Sequence, residues 1–346
     1  MPKVLRAGAA ALVAGTMAMA LGACGTGDDA ASAGDGTTRV RVLIPAESPI
    51  EYPHRVAEAE GFFAEEGIST TYEYAGGSAE VLQQLVAGRG DIGVSCASAI
   101  VSSFEQGFTQ VRPIFTTVYG SIFGLAVPEG SPVTDVEQLR GKTIGISDPA
   151  GGEVPIVKGI LAADGIGEDD VELLAIGEGT AVALRAVQSG QVDAIGGSFS
   201  DFVGLQVQGQ ELTTIGNESL AELPACAVLA TDKYIEANPE VVEGFLRASA
   251  KGVVWGQEHP EETLAILREA SPTGFEGELG SDMLELYLPL MAPRDPEKIG
   301  DISSAAYAAY FDFIGADKPD NLDDLVDPEF VVPANDFDRA EVTGAS

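Results

Sequence analysis

Basic residues are scarce in this chain of 346 residues. Lys and Arg total 19 against 54 Asp and Glu, which gives a formal net charge of −35. A surface of this sign repels nucleic-acid phosphates and anionic lipid headgroups, so we expect no nucleic acid among the partners. Two explanations of the acidity stay open: a saline habitat, where salt screens the self-repulsion, and the general acidity of many secreted proteins.

Histidine is nearly absent as well. The chain has only His54 and His259, and neither stands at a metal-ligand spacing, so zinc chemistry and histidine-dependent nucleophilic catalysis are not expected. The sequence also contains no dinucleotide fingerprint and no P-loop. We therefore expect no enzymatic activity, no metal and no cofactor.

Three cysteines are too few for a disulfide scaffold. Cys96 and Cys226 both lie in apolar, strand-like stretches. They could be buried free thiols, or one bridge formed in an oxidising compartment. Free thiols are the favoured interpretation.

The long uncharged apolar run of the chain is at its N-terminus. Lys3 and Arg6 precede residues 7–20, which carry no charge and are too few to cross a hydrocarbon core of about 30 Å. This order indicates an export signal over residues 1–23. Residues 24–38 are small or polar and include no large apolar side chain, so we expect a flexible tether there.

The Leu-Gly-Ala-Cys sequence at residues 21–24 resembles the lipobox of bacterial lipoproteins. The resemblance implies that the Cys24 thiol receives a lipid and that Cys24 becomes the first residue of the mature protein. One acyl chain binds a membrane only marginally, and further chains make the anchoring stable. The alternative is an ordinary secretory signal that contains a cysteine by chance.

Strand and helix patterns alternate along the rest of the chain. A strand at residues 39–44 and a helix at 53–66 begin a repeated order that predicts sheets with helices on their faces. The pattern restarts midway, so we predict an α/β fold of two lobes. Lobe 1 would comprise residues 39–125 and 226–346, and lobe 2 residues 126–225. Two crossing strands would form a hinge, with a ligand cleft between the lobes.

The turns that follow the predicted strands are rich in glycine, serine and threonine. In open α/β sheets, ligands bind beyond the carboxyl ends of the strands, where helix N-termini and backbone N–H groups are exposed. Six such turns predict a site that holds its ligand through main-chain amides and hydroxyls. For each turn, the alternative is a structural role at the start of a helix. The candidate ligand-binding residues are Glu47, Ser48, Tyr52, Gly77, Ser78, Ser98, Phe123, Gly151, Gly152, Glu153, Thr180, Ser198, Phe199 and Asp201.

Aromatic and acidic side chains add shape and charge to this predicted site. We expect Tyr52, Phe123 and Phe199 to wall the pocket, and Tyr119 and Phe202 to lie in the core. The acids of the candidate set could bind an amine or amidine-like group, or be solvated surface, which is the expectation for most of them. No basic residue is evident in these turns.

Four segments of the chain resemble type II solute-binding proteins of the nitrate, sulfonate, taurine and thiamine-pyrimidine-precursor group. They occur in that family's order, at residues 53–67 (PHRVAEAEGFFAEEG), 88–93 (GRGDIG), 139–145 (LRGKTIG) and 190–194 (GQVDA). The resemblance implies a periplasmic-binding-protein type II fold whose lobes close on a small molecule. It also implies a receptor that delivers this molecule to the permease of an ABC importer.

With the predicted lipid anchor, we expect a monomeric receptor on the outer face of the cytoplasmic membrane. The aromatics, the acids and the missing basic residues favour a pyrimidine-like heterocycle, with a sulfonate, taurine or nitrate anion as the alternative. A sensor ectodomain and a fold-related biosynthetic enzyme also stay open; the related thiamine-pyrimidine synthase has a cysteine-rich active segment that is missing here. Carried over by position, the pocket residues are Ser48, Gly77, Ser78, Ser98, Gly152 and Thr180.

Overall fold

The computed structural model describes residues 36–216 and 218–344. The predicted signal, Cys24 and most of the predicted tether lie outside these residues. The described chain contains two five-stranded sheets. The predicted α/β fold with two lobes is confirmed. The strands are β1 (Thr38–Ile44), β2 (Ile68–Tyr74), β3 (Ile92–Cys96), β4 (Val111–Tyr119), β5 (Phe123–Pro128), β6 (Thr143–Ile146), β7 (Glu172–Ala175), β8 (Ala194–Ser198), β9 (Leu212–Ile215) and β10 (Pro224–Thr231).

The first sheet has the strand order β2-β1-β3-β10-β4. β1 is parallel to β2 and β3, whereas β10 is antiparallel to β3 and β4. β3 is buried along its whole length, as expected for a central strand with helices on both faces. The second sheet repeats this plan with the order β7-β6-β8-β5-β9, in which β6 is parallel to β7 and β8 and β5 is antiparallel to β8 and β9.

Helices cover both sheets, and the long helix α9 packs closely on α1. A Cβ on Gly252 of α9 would overlap the carbonyl oxygen of Pro53 in α1, so only glycine allows this approach. The α-helices are α1 (Tyr52–Ala59), α2 (Phe62–Glu65), α3 (Ser78–Val86), α4 (Ala97–Glu105), α5 (Val154–Ala163), α6 (Thr180–Gln188), α7 (Phe199–Val207), α8 (Asp232–Ala237), α9 (Pro239–Glu258), α10 (Pro260–Ala270), α11 (Gly277–Met291), α12 (Ser304–Ile314), α13 (Val331–Ala334) and α14 (Arg339–Thr343).

The chain passes between the two sheets twice, from β4 to β5 and from β9 to β10. The Gly120 N–H donates to the Leu223 carbonyl at 2.8 Å, and the Ser121 N–H donates to the Leu220 carbonyl at 2.9 Å. The two crossing segments are therefore hydrogen-bonded side by side. This is the arrangement that a hinge of two crossing strands requires.

The late helix α12 contacts both lobes. Its Tyr307, Tyr310 and Phe311 are buried in one apolar cluster with residues of both sheets. The ring of Phe313 lies over Gly159 of α5, where a Cβ would overlap it. The late helices, which fall within residues 226–346 of the predicted lobe 1, thus also contact the second lobe.

Cys96 and Cys226 form a disulfide, so the expectation of free thiols is wrong. Cys226 is the direct partner of Cys96 in the antiparallel register of β10 and β3, and their Cα atoms are 3.9 Å apart. The two residues are 130 positions apart in the chain. Their proximity depends on the return of the chain from the second lobe, which no local pattern reveals.

Candidate ligand-binding cleft

The carboxyl ends of β6, β7 and β8 surround a cavity of about 270 Å³. Its walls come from three turns of the second sheet, which is the edge where ligands bind in open α/β sheets. The structure places the candidate residues Glu153, Thr180 and Asp201 in this wall. They are joined there by Ser147, Gly177, Glu178, Gly179, Gly196 and Gly197.

Glu153 is held firmly at this edge. Its side chain is buried, and its Oε1 accepts from the Ser147 N–H at 2.8 Å and from the Ser147 hydroxyl at 2.6 Å. A Cβ on Gly151 would overlap the Glu153 carboxylate, so the candidate Gly151 leaves the space that this carboxylate occupies. The wall therefore carries a fixed acceptor group.

Thr180 and Glu178 belong to the turn after β7. Gly179 has a φ of 98°, in the region that favours glycine, and this conformation starts α6 at Thr180. Thr180 is half-buried and Glu178 is exposed. The turn thus offers one hydroxyl and one carboxylate to the cavity.

Ser198 and Asp201 cap helix α7. Asp201 Oδ2 accepts from the Ser198 N–H at 2.9 Å and from its hydroxyl at 2.6 Å, while Ser198 Oγ accepts from the Asp201 N–H at 3.1 Å. This reciprocal pair is a capping box. Ser198 therefore has a structural role at the start of a helix. Asp201 both caps the helix and lines the cavity.

A second group of candidates meets between the lobes. Ser98 of the first lobe and Phe123 at the crossing line a gap of only about 10 Å³. A Cβ on Gly152 of the second lobe would lie 3.2 Å from Ser98 Oγ and 3.0 Å from Phe123 Cζ. On the first-lobe side, Ser78 Oγ accepts from the Cys96 N–H at 3.3 Å. These residues form a row that joins the two lobes, and the lobes are in contact along it.

Tyr52 does not wall a pocket, and this prediction is wrong. Its side chain is fully buried in the core of the first lobe, where its hydroxyl accepts from Gln257 Nε2 at 3.0 Å. Burial raises the pKa of Tyr52. The physical reason is that α1 turns this ring toward α9, where Gly256 leaves room for it. Of the expected core residues, Phe202 is buried and Tyr119 is half-buried.

The remaining candidates of the first lobe do not line the second-sheet cavity. Ser48 Oγ accepts from the Ile50 N–H at 3.4 Å and caps a short turn. Glu47 is exposed and lies beside Gly274 in the loop before α11. Gly77 precedes α3 with a φ of 155°, a backbone conformation that residues with a side chain rarely adopt.

Phe199 starts α7 and is half-buried at the crossing between the lobes. Its N–H donates to the Ile122 carbonyl at 2.9 Å, and its ring packs on Gly124 and on Phe202, with a centroid distance of 6.1 Å from the latter. It borders the same crossing as Phe123. Both aromatics are thus placed where the lobes meet.

The late helices also contribute to this region, which the sequence pattern does not predict. The hydroxyl of Tyr287 in α11 lies 2.9 Å from Ser200 Oγ in α7, which links the lobes. Burial raises the pKa of Tyr287 to about 12, so the phenol stays protonated. Tyr310 of α12 lies at the gap beside Ser98. Helical periodicity marks such tyrosines only as inward-facing, and their contacts with the other lobe depend on the path of the chain.

The cavity in the second lobe has an acidic wall. Its described lining includes Glu153, Glu178 and Asp201, and no Lys, Arg or His. Such a wall repels anions and accepts hydrogen bonds from N–H donors. Among residues 36–216 and 218–344, no group of three or more His, Cys, Asp or Glu is placed to hold a metal ion. None of the helices in these ranges has the length and apolarity that crossing a bilayer requires.

Relatives with known names fall into binding proteins and enzymes. The chain is 29% identical over 232 residues to the riboflavin-binding protein RibY of Chloroflexus aurantiacus, and 24% identical over 218 residues to the formylaminopyrimidine-binding protein of Halalkalibacterium halodurans. These matches cover 66% and 61% of this chain, and the chain spans 64% of each relative. It is also 25% identical over 242 residues to a 4-amino-5-hydroxymethyl-2-methylpyrimidine phosphate synthase of Legionella pneumophila, covering 68% of this chain and 74% of the synthase.

Solved structures share the fold. The periplasmic aliphatic sulphonate binding protein SsuA of Escherichia coli matches with a TM-score of 0.67 and 16% identity, over 84% of this chain and 92% of that one. A ligand-binding component of an ABC-type import system from Staphylococcus aureus, solved with zinc bound, matches with a TM-score of 0.63 and 10% identity, over 85% and 97% of the chains. Residues 51–263, more than half of the chain, match the family model described as NMT1/THI5 like. The protein therefore belongs to the NMT1/THI5-like family and has its two-lobed binding-protein fold.

Proposed function

We propose that this protein is an extracytoplasmic solute-binding receptor that captures a small nitrogen heterocycle and delivers it to the permease of an ABC importer. The observation that carries the proposal is the cavity at the carboxyl edge of the second sheet, with its fixed carboxylate and its lack of basic side chains in the described lining. Two relatives support it, since they are named for binding riboflavin and formylaminopyrimidine.

The charge of the cavity favours this class of ligand over an oxyanion. Carboxylates of Glu153, Glu178 and Asp201 accept hydrogen bonds from ring N–H or amino groups, whereas they repel a sulfonate or nitrate. The half-buried rings of Phe123 and Phe199 lie at the adjoining crossing, where a flat heterocycle could stack. The volume of the cavity also favours a small ligand. A volume of about 270 Å³ is below the roughly 300–1,000 Å³ of sites for drug-sized ligands, so one ring fits better than riboflavin.

Closure of the lobes would couple binding to delivery. The lobes are already in contact in this structure: Ser98 lies against Gly152, and Tyr287 lies against Ser200. A ligand favours this state only as far as it binds there more tightly than in an open state. The permease would then recognise the two lobes in their closed arrangement.

Isothermal titration calorimetry tests the ligand class. We expect 4-amino-5-hydroxymethyl-2-methylpyrimidine or formylaminopyrimidine to bind with a Kd of about 1 μM or below, riboflavin more weakly, and taurine, methanesulfonate and nitrate not at all. Glu178→Gln and Thr180→Val should each weaken binding by about 10-fold or more, because one polar contact is lost. Glu129→Gln, exposed at the far end of β5, should bind like the original protein. Tight taurine binding with no pyrimidine binding would overturn the proposal.

The same experiment separates a receptor from an enzyme. A receptor returns its ligand unchanged, so mass spectrometry of the titrated pyrimidine should recover the starting mass after prolonged incubation. Conversion of the pyrimidine would show that the protein is an enzyme and would contradict the receptor proposal. Within the described residues the only cysteines are joined in the disulfide, so they offer no free thiol to such chemistry.

Lipid anchoring through Cys24 is the second part of the proposal. Cys24→Ser should move the protein from the membrane fraction to the soluble extracytoplasmic fraction and abolish incorporation of a labelled fatty acid. Ser32→Ala, in the predicted tether, is the matched control and should leave both unchanged. A Cys24→Ser protein that stays membrane-bound and labelled would contradict the anchoring.

A further inference from the structure

A larger cavity lies at the opposite edge of the first sheet from the cleft. It has a volume of about 610 Å³ and forms where β1 and β3 begin and β10 ends, between the end of α3 and helix α8. We call it the basal cavity and define it by Arg39, Arg41, Asp91, Lys233 and Tyr234. None of the candidate residues of the cleft is among the residues that line it.

The charge of the basal cavity is opposite to that of the whole protein. Arg39, Arg41 and Lys233 line it together with a single carboxylate, that of Asp91. The chain as a whole has 54 acidic and 19 basic residues. A local excess of positive charge in such a chain creates a small region that attracts anions, while the surrounding surface repels them.

Arg41 is held in place by its neighbours. Its Nη2 donates to Asp91 Oδ1 at 2.7 Å, its Nε donates to Asp91 Oδ2 at 3.0 Å, and its Nη1 donates to the Gly88 carbonyl at 2.9 Å. A paired and fixed guanidinium forms a rigid wall and loses little freedom when a ligand arrives. Arg39, by contrast, is exposed and makes no ion pair within the described part of the chain.

Tyr234 supplies a polar atom with no partner. Its hydroxyl is buried and makes no hydrogen bond among the described residues, while its ring packs against the core of the first lobe. Burial and the nearby Asp91 carboxylate raise the pKa of Tyr234, so the phenol stays protonated and can donate. Buried hydroxyls are normally satisfied, so this one calls for an acceptor from outside the chain.

Apolar side chains complete the basal cavity. Leu85, Val86 and Ala237 line it, and Val86 is 41% exposed although it is a large apolar side chain. A ligand that matched the whole surface would carry both a charged group and an apolar group. The volume lies within the usual range of sites for drug-sized molecules.

We propose that the basal cavity binds a phosphate ester that carries an apolar group. The phosphate oxygens would lie by Arg39, Lys233 and the Tyr234 hydroxyl, and the apolar group would cover Leu85 and Val86. This chemistry occurs both in soluble phosphate esters and in phospholipid headgroups. Binding here is independent of the cleft, because the two sites share no lining residue.

Phenyl phosphate is the probe that tests the basal cavity. Calorimetry with the full chain should detect binding in the micromolar to low-millimolar range in 50 mM salt, weakened at 500 mM salt because the charges are screened. Phenol and inorganic phosphate should each bind at least 10-fold more weakly, since phenol lacks the phosphate and inorganic phosphate lacks the apolar ring. A pyrimidine bound in the cleft should not change the Kd.

Three variants locate the binding. Arg39→Gln combined with Lys233→Gln should weaken phenyl phosphate binding by at least 10-fold, and Tyr234→Phe by about 3-fold or more, because a charge-assisted hydrogen bond is lost. Arg185→Gln removes an exposed positive charge from the second lobe and should leave the Kd unchanged. Unchanged melting temperatures would show that the variants are folded. Equal binding in all variants, or no binding of phenyl phosphate at 10 mM, would overturn the proposal.

Vesicles distinguish the two sources of the ligand. Sedimentation with phosphatidylglycerol vesicles that falls in the Arg39 and Lys233 double variant, and that phenyl phosphate competes away, would support a lipid headgroup. Phenyl phosphate binding without vesicle binding would support a soluble ester. Weakening of phenyl phosphate binding by Thr180→Val instead would place the probe in the cleft and refute the basal site.

Discussion

At the carboxyl edge of the second sheet, glycine- and hydroxyl-rich turns border an open cavity; at the same edge of the first sheet, similar turns are occupied by the fold itself. Ser48 caps a short turn, and Ser78 accepts from a backbone N–H of β3. In the second lobe, Ser147 and Thr180 face a cavity of about 270 Å³. Turn composition therefore marks where a ligand can bind, and the packing around each turn decides whether space remains.

Within the described residues, the first lobe carries the disulfide and most of the buried polar side chains. The disulfide, the buried His54 and the long helix α9 all belong to it. The second lobe has the cavity. We propose that the first lobe is a rigid base and that the second supplies most of the ligand contacts. Four experiments test this division of roles.

Loss of the disulfide should have the largest effect. Cys96→Ser combined with Cys226→Ser should lower the free energy of unfolding by about 2–5 kcal/mol, because a long loop is released in the unfolded chain. Guanidinium unfolding of the original protein and of the double variant measures this difference in the free energy of unfolding. A reductant should lower the stability of the original protein but not that of the double variant. Unchanged midpoints would show that the first lobe does not depend on this bond.

Acid should destabilise the protein through His54. Burial lowers its pKa to about 3 from 6.5. Between these values the unfolded chain binds one more proton than the folded protein, so stability falls as pH falls, by about 1.4 kcal/mol per pH unit. Urea unfolding at pH 6, 5 and 4 should show this slope, and His54→Gln should reduce it by about that amount. An equal slope in His54→Gln would remove His54 as the cause.

Matched glutamates compare the two carboxyl edges directly. Glu153→Ala leaves the Ser147 N–H and hydroxyl without their acceptor, so it should cost about 1–3 kcal/mol and weaken pyrimidine binding. Glu47→Ala removes an exposed carboxylate and should change stability by less than about 0.5 kcal/mol. Thermal melting and calorimetry measure both variants. A larger loss of ligand affinity in Glu47→Ala would move the main contacts to the first lobe.

Matched serine caps should give the smallest effect. Ser198→Ala removes the reciprocal cap of α7 and should cost about 1 kcal/mol. Ser48 caps only a three-residue turn, through a contact of 3.4 Å, so Ser48→Ala should lower the free energy of unfolding by less. Urea unfolding measures the free energy of unfolding of both variants. If Ser198→Ala abolished ligand binding at unchanged stability, its role would be in recognition and not in capping.

Much of the fold could be predicted, because it depends on local periodicity. The strand predicted at residues 39–44 corresponds to β1, and the restart of the pattern corresponds to the second sheet. The single helix predicted at residues 53–66 is two helices, α1 and α2. Gly61 between them has a φ of 80°, which ends the regular helix geometry. Such a break depends on one backbone angle that hydrophobic spacing does not show.

The candidate site could be predicted in part. The turns of the second lobe lie at the carboxyl edge of their sheet, as strand direction predicts. Tyr52 was misplaced because its position next to a turn said nothing about α9, which lies about 200 residues further along the chain. Tyr287 and Tyr310 were missed for the same reason.

Residue type and local spacing are enough to fix the alternation of strands and helices, the acidic character and the shortage of basic side chains in the turns. Four other features appear only in the folded chain: Cys96 meets Cys226, Tyr52 is buried, α11 and α12 join the lobes, and three basic residues gather in the basal cavity. Each of these depends on which distant segments pack together, and that is set by the path of the whole chain.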